Sequence, residues 1–220
     1  GVFADLFTLP LVNLLPVPDE VTDECGVFTE PLAAALRIRE QVNVRPTSRI
    51  AIVGPGRLGL LAAQVLALAA GNVVVLGRRS ASLVLPGQLG FTTGLVDEQP
   101  DDHFDLVVEA TGNDAGLAHS LRLVRPQGTL VLKSTFHGHA DVDLTKLVVG
   151  EVTVVGSRCG PFEPALRLLA MSAGLTEKVT AGSGVQVRPM IETEYPLRDG
   201  LIAFDHAAQP GVRKILLRPN

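Results

Sequence analysis

The clearest rhythm of apolar and polar positions lies between Arg49 and Arg79, which reads RIAIVGPGRLGLLAAQVLALAAGNVVVLGRR. Ile50–Val53 is a short unbroken apolar run closed by a turn, and it predicts a buried strand. Leu58, Leu60, Leu61, Ala62, Val65, Leu66, Leu68 and Ala69 follow at positions that leave almost no polar face. That pattern predicts a buried helix, with Gly71 as its stop. Val73–Leu76 predicts a second strand. The alternation continues with a short third strand near Leu95-Val96 and a fourth over Asp105–Glu109. A helix from about Gly116 to Val124 is ended by Arg125-Pro126-Gln127-Gly128, before a fifth strand at Thr129–Leu132 and a sixth at Val152–Val155. Continuous β-branched runs separated by helices imply an α/β fold whose parallel sheet is covered on both faces. Six such strands fit a doubly wound sheet in the order 3-2-1-4-5-6.

The flanks read differently. Residues 1–10, GVFADLFTLP, alternate and end at Pro10, which predicts one strand at a sheet edge. After the Pro-bearing connection Asn13–Asp19, Thr22-Asp23 offers caps for a helical segment that includes FTEPLAAALRIREQ, with Pro31 at a helix start or kink. Beyond Gly160-Pro161 a helix is expected over 163–173, then a polar surface loop, AGLTEKVTAGSG. A strand over Val185–Ile191, a helix near Leu197–Ala208 and a last strand at Lys214–Leu217 complete the chain.

Composition narrows the partners. Hydrophobic content is 46% with only 4% aromatics and no Trp, so Val, Leu and Ala must build the core. A net charge of −4, with an isoelectric point near 5.7, argues against nucleic acid or an anionic membrane surface as the main ligand. No unbroken apolar run is long enough to span a bilayer, and no secretory signal is visible at the start, which also lacks a Met. Cys25 and Cys159 form no metal-type pair and fit reduced thiols of a cytoplasmic protein better than a disulfide.

Candidate chemistry centres on the turn Gly54-Pro55-Gly56-Arg57-Leu58-Gly59, a full G-x-G-x-x-G between a strand and a helix. Gly54 permits the tight turn, Gly56 leaves room for a pyrophosphate, and Gly59 lets the helix pack close to the sheet. The helix N-terminus offers free N–H groups and a positive dipole end to phosphates. Where the second strand of a dinucleotide site commonly ends in a carboxylate for the ribose, this chain has Gly77-Arg78-Arg79. Guanidinium groups pair well with a 2′-phosphate, so the cofactor expected is NADP, with NAD as the alternative. That one of the two arginines lies only on the solvated surface stays open. Ala110, Thr111 and Gly112 after the fourth strand, and Lys133, Ser134 and Thr135 after the fifth, belong at the crevice edge on the nicotinamide side. Glu30 reads on its own as a first-turn helix carboxylate. His137-x-His139 reads as an ordinary loop, and His103, His119 and His206 as surface or helix-end residues. A methyltransferase also uses a Gly-rich turn, but it leaves the Glu30-Pro31 segment unexplained.

FADLFTLP, FTEPLAAAL, IAIVGPGRLGLLAAQVLA, VVEATG, GTLVLKST, VVGSRCGPF and the ending GVRKILL, in that order, resemble the medium-chain dehydrogenase/reductase family. The resemblance is to its zinc-dependent alcohol, sorbitol, glucose and threonine dehydrogenase branch. It implies a Rossmann domain over 45–162, flanked by pieces of a split GroES-like catalytic domain at 1–44 and 163–220. It further implies hydride transfer between NADP(H) and an alcohol, polyol or sugar, and a homodimer joined along the sixth strand. Glu30 falls where family members carry a carboxylate at or near the catalytic zinc, and Arg213 where they place a basic residue near the pyrophosphate, with Lys214 as runner-up. The family's other zinc ligands, a Cys and the His of a G-H-E motif, are absent from this stretch. Zinc is therefore expected only in a longer protein that carries them. The alternative is a non-catalytic nicotinamide-nucleotide-binding protein or subunit.

Overall fold

The computed structural model describes residues 2–136, 139–174 and 181–219. Helices α1 (Asp23–Gly26) and α2 (Thr29–Gln41) precede strand β1 (Arg49–Val53), the Gly-rich turn and helix α3 (Arg57–Ala67). β2 (Asn72–Gly77), α4 (Val84–Gln88), β3 (Thr92–Leu95), β4 (Phe104–Glu109), α5 (Asp114–Leu123), β5 (Val124–Leu132), α6 (Leu144–Val149) and β6 (Thr153–Gly156) follow. These six strands form one parallel sheet in the order β3-β2-β1-β4-β5-β6, the arrangement expected from the alternation of runs. Helix α7 (Phe162–Ser172) returns to pack on α2, and β7 (Ile191–Pro196), α8 (Gly200–Ala207) and β8 (Lys214–Arg218) make a separate two-stranded parallel unit.

The period of two along each strand divides the interior. Ile50 and Ile52 face one core with Leu61 and Leu66 of α3, Leu32 and Ile38 of α2 and Leu169 of α7. Ala51 and Val53 face the other with Leu117 and Leu121 of α5. With both faces covered, the strand ends are where a ligand can enter. The order reverses beside β1, because the chain leaves β3 and re-enters at β4. A crevice therefore opens outside the carboxyl ends of β1 and β4.

Several elements depart from the sequence expectation. Residues 2–10 form no strand: Phe3, Leu6 and Phe7 are exposed, and Phe3 packs edge-on against Phe204 at 5.5 Å. Alternation assigns faces, but a strand also needs a neighbour to complete its ladder, and among the described residues none pairs with it. The segment after Thr22 is two helices, since Thr29 starts α2 afresh with its hydroxyl donating to Gly26 O at 2.7 Å. α3 ends at Ala67, and the Gly71 N–H donates to Pro46 O instead of closing the helix. β3 covers Thr92–Leu95, with Val96 opening a 3-10 turn. β5 starts at Val124, earlier than expected, because the Asp105 carboxylate binds Arg125 Nε at 2.6 Å and the Arg49 N–H at 2.7 Å across an irregular stretch of pairing.

The strand expected over Val185–Ile191 is instead a buried irregular segment ending in a 3-10 turn, Arg188–Met190. Pro189 has no N–H to give a ladder, and Gln64 of α3 takes the backbone of Gln186 instead, accepting at 2.6 Å and donating at 3.2 Å. The strand begins only at Ile191. Residues 175–180 of the polar loop, with His137 of the His pair, lie outside the described residues. Among the described residues no helix is long and apolar enough to cross a membrane.

Candidate dinucleotide site

Gly54 leaves β1 with φ +109°, a conformation that L side chains rarely adopt. A Cβ there would stand 2.9 Å from the Ala110 carbonyl carbon and from Thr111 Cγ2. The β1 and β4 loops can therefore touch only over a glycine. Gly59, in the first turn of α3, lies on the turn itself: a Cβ would overlap the Gly54 carbonyl oxygen. Gly56 is different. It is the N-cap of α3, its backbone is extended, no side chain caps the helix, and a Cβ would meet nothing within 4 Å. The uncapped N–H groups of α3 thus face open space, with Arg57 beside them and no acidic residue in the first turn.

A cavity of about 240 Å³ opens at these strand ends, with Gly54, Gly56, Gly77, Arg78, Ala110 and Thr111 in its wall. Among the described residues no acidic side chain lines it. Arg78 borders the cavity, whereas Arg79 is exposed away from it and anchors the following 3-10 turn, its carbonyl accepting from Ser82 Oγ at 2.6 Å. Pro55 is half-buried beside Gly77, and Leu58 is half-buried on α3. Asn113 and His119 also border the cavity. His119, expected as a surface or helix-end residue, thus sits in the cavity wall. Asn113, which the sequence did not single out, caps α5 beside it, its position on the turn after the fourth strand being the usable signal.

Glu109 shapes the wall from behind. It is fully buried, and its Oε1 accepts from the Thr111 N–H and Thr111 Oγ1, both at 2.6 Å, and from the Gly112 N–H at 3.0 Å. This carboxylate folds the Ala110–Gly112 loop into shape. Gly112 has φ +72°, and a Cβ there would lie 3.4 Å from Thr135 O and 3.5 Å from Ser134 Cβ. The loops after β4 and β5 therefore meet at the crevice edge.

Farther along that edge sits a group of charges. Lys133 is buried, and its ammonium donates to Ser157 Oγ at 3.0 Å and to Arg158 O at 2.5 Å. Burial pushes its pKa down to about 8, opposed by the Cys159 thiol and the Glu30 carboxylate and assisted by Arg37. Burial lowers the pKa of Lys214 as well, and Arg57 adds to that while Glu30 opposes it. The Lys214 ammonium lies 5.6 Å from the Phe28 ring centroid, the geometry of a cation–π contact. Its neighbour Arg213 is exposed and paired with Glu192 at 3.0 Å. Of the two basic residues, Lys214 is the one whose charge is felt by Arg57 and Glu30, while Arg213 is engaged by Glu192.

Glu30 is exposed in the first turn of α2 and shares its surroundings with two ammonium groups. A catalytic zinc takes three protein ligands and an open position. Among the described residues no three His, Cys, Asp or Glu side chains come together, and the ammonium groups near Glu30 oppose a cation. The residues present do not make a zinc site by themselves. A dinucleotide fits better: the space before Gly56, the uncapped helix end and a cavity wall without carboxylates all suit an anionic ligand.

The family model described as zinc-binding dehydrogenase matches residues 58–171, more than half of the chain. The chain belongs to that family. It is 27% identical over 218 residues to a sorbitol dehydrogenase of Gallus gallus, an alignment that covers 92% of this chain and 58% of that protein. In three dimensions it is similar to a putative zinc-binding dehydrogenase from Sinorhizobium meliloti 1021 bound to NADP, with TM-score 0.80, 24% identity and coverage of 93% of this chain and 62% of that one. It is also similar to a short chain alcohol dehydrogenase (rspB) from E. coli CFT073 complexed with NADH, with TM-score 0.81, 17% identity and coverage of 94% and 63%. The chain thus spans about three fifths of the length of these proteins.

Proposed function

We propose that this chain is the cofactor-binding part of an NADP(H)-dependent dehydrogenase acting on an alcohol, polyol or sugar. The observation that carries the reading is the cavity at the ends of β1, β2 and β4, walled by Gly54, Gly56 and Gly77, lacking any carboxylate and bordered by Arg78. In this reading the uncapped N–H groups of α3 and the backbone of Gly56 hold the pyrophosphate, with Arg57 and Lys214 supplying positive charge. Arg78 takes the 2′-phosphate through its planar fork of donors. Ala110, Thr111 and Gly112, held by Glu109, with Ser134 and Thr135, flank the nicotinamide side. The bound nicotinamide supplies hydride chemistry; the chain's residues bind and orient it.

Residues 45–162 form the dinucleotide-binding domain in this reading, and 1–44 and 163–220 are parts of a split GroES-like catalytic domain. The separate β7–β8 unit supports that division. Sorbitol dehydrogenase, the name of the Gallus gallus relative, supports a polyol as the substrate class. Glu30 serves a metal only together with ligands from further chain. A homodimer along β6 is supported by the exposed Val154 on that edge strand and by exposed Val148 and Val149 on the adjacent helix α6, since an open apolar edge invites pairing. Titrating the chain with NADPH and NADH, followed by nucleotide fluorescence, tests the reading. Micromolar binding with preference for NADPH is expected. No binding of either at millimolar concentration would sink it.

A further inference from the structure

Lys133, expected at the crevice edge, is the one buried ammonium at the ends of β5 and β6 among the described residues. The cavity lies at the ends of β1, β2 and β4, with Arg78 at its β2 end. A dinucleotide laid across the α3 N-terminus has its adenosine there, so its nicotinamide extends towards the ends of β4, β5 and β6. Lys133 follows β5 directly and donates to two neutral oxygens of the loop after β6, Ser157 Oγ and Arg158 O. The charged and titratable groups around it are Glu30 and Arg37 on α2 and Cys159 on that loop, and Glu30, Arg37 and Cys159 are each partly or wholly in solvent.

We propose that Lys133 makes this crevice bind the reduced nicotinamide cofactor in preference to the oxidised one. The proposal rests on the reading that NADP(H) occupies the crevice. The oxidised ring carries a positive charge and the reduced ring is neutral, while the two forms share the same phosphates. A fixed ammonium near the ring therefore repels only the oxidised form. At the effective dielectric of a protein surface, two unit charges several ångströms apart change affinity by about tenfold or more. Burial strengthens the effect, because the ammonium is held by neutral acceptors and not neutralised by an ion pair.

The test uses the 220-residue chain and its Lys133→Met and Lys133→Arg variants. NADPH, NADP and 2′-phospho-ADP-ribose, which lacks the nicotinamide, are titrated by calorimetry. The ratio of NADP to NADPH dissociation constants is expected to fall about tenfold in Lys133→Met, to persist in Lys133→Arg, and 2′-phospho-ADP-ribose is expected to bind both variants as it binds the unaltered chain. Equal weakening of all three ligands in Lys133→Met, or an unchanged ratio, overturns the proposal. Should Lys133→Met fail to fold, the same three titrations are made on Lys133→Gln, where a ratio that falls about tenfold supports the proposal and an unchanged ratio overturns it. Failure of all three ligands to bind the unaltered chain removes the cofactor reading itself, whereas binding of all three with equal affinity removes only the role of Lys133.

Discussion

Gly56 and Gly59 belong to one motif, yet the structure gives them opposite sensitivities. A methyl group at Gly59 overlaps the Gly54 carbonyl oxygen and lies 3.2 Å from the carbonyl carbon and 3.3 Å from Ile52 Cγ2. The obstacle is backbone, which cannot swing aside as a side chain can. Gly59→Ala is expected to cost about 3 kcal/mol or more, the upper end of overpacking penalties, and so to lower the midpoint of thermal unfolding by about 6–12 °C in a chain of this length. At Gly56 a methyl group meets nothing within 4 Å, and the extended backbone there, φ −76° and ψ −176°, suits alanine. The entropy gained by replacing glycine, about 0.4–1 kcal/mol, roughly offsets the poorer N-cap. Gly56→Ala should therefore unfold within about 2 °C of the unaltered chain. Its methyl group, however, occupies the space before the α3 N-terminus. Losing one hydrogen bond to a charged phosphate, worth about 1.5–3 kcal/mol, weakens NADPH about ten- to a hundredfold. Circular dichroism melts and NADPH fluorescence titrations read the two effects separately. Unchanged NADPH affinity in Gly56→Ala would falsify the placement of the phosphates, and an unchanged melt in Gly59→Ala would refute the packing argument.

Three further outcomes follow from named contacts. Arg78→Ala should cost NADPH about tenfold or more while sparing NADH, and Arg79→Ala should change neither strongly, since only Arg78 borders the cavity; equal effects of both variants in a titration would contradict this assignment. Gln64→Leu should cost about 1–3 kcal/mol in urea unfolding, because it removes both hydrogen bonds that tie α3 to the backbone of Gln186; a loss below 0.5 kcal/mol, within the ordinary range for surface changes, counts against it. The Lys133 ammonium, lowered to about 8 by burial, stands below its value in an unfolded chain, so between pH 8 and about 10.4 the unfolded state binds more protons. Stability should therefore rise with pH across that window, by on the order of 1–2 kcal/mol after solvent screening, and the cost is fully present below it. The difference between the unaltered chain and Lys133→Met, unfolded in urea at pH 7.5 and 10, isolates this contribution, and a difference independent of pH refutes it.

Much of the architecture was legible because it rests on local periodicity. Ile50–Val53, the apolar face of α3 and the glycines at 54, 56 and 59 specify a strand, a turn and a helix within one short stretch. Repetition of that unit then restricts the sheet to very few arrangements. Where local pattern and a distant partner disagreed, the partner decided. Residues 2–10 alternate like a strand and form none, for want of a neighbouring strand. Val185–Val187 has strand composition, but packing against α3 and the Gln64 amide takes its backbone.

The sequence by itself determined the six-stranded α/β sheet, the Gly-rich turn between β1 and α3 and the absence of a carboxylate after the second strand, because each is written in contiguous residues. Only the tertiary structure decided the roles of neighbours in the chain. Arg78 and Arg79 are adjacent, yet only Arg78 of the two borders the cavity; Arg213 and Lys214 are adjacent, yet Arg213 pairs with the surface carboxylate of Glu192 and Lys214 is half-buried beside Phe28. Lys133 came from sequence as one member of a crevice edge; burial against Ser157 and Arg158, on the loop after another strand, is what turns it into a fixed charge. Side-chain direction and electrostatic surroundings depend on segments far apart in sequence, and only the folded chain brings those segments together.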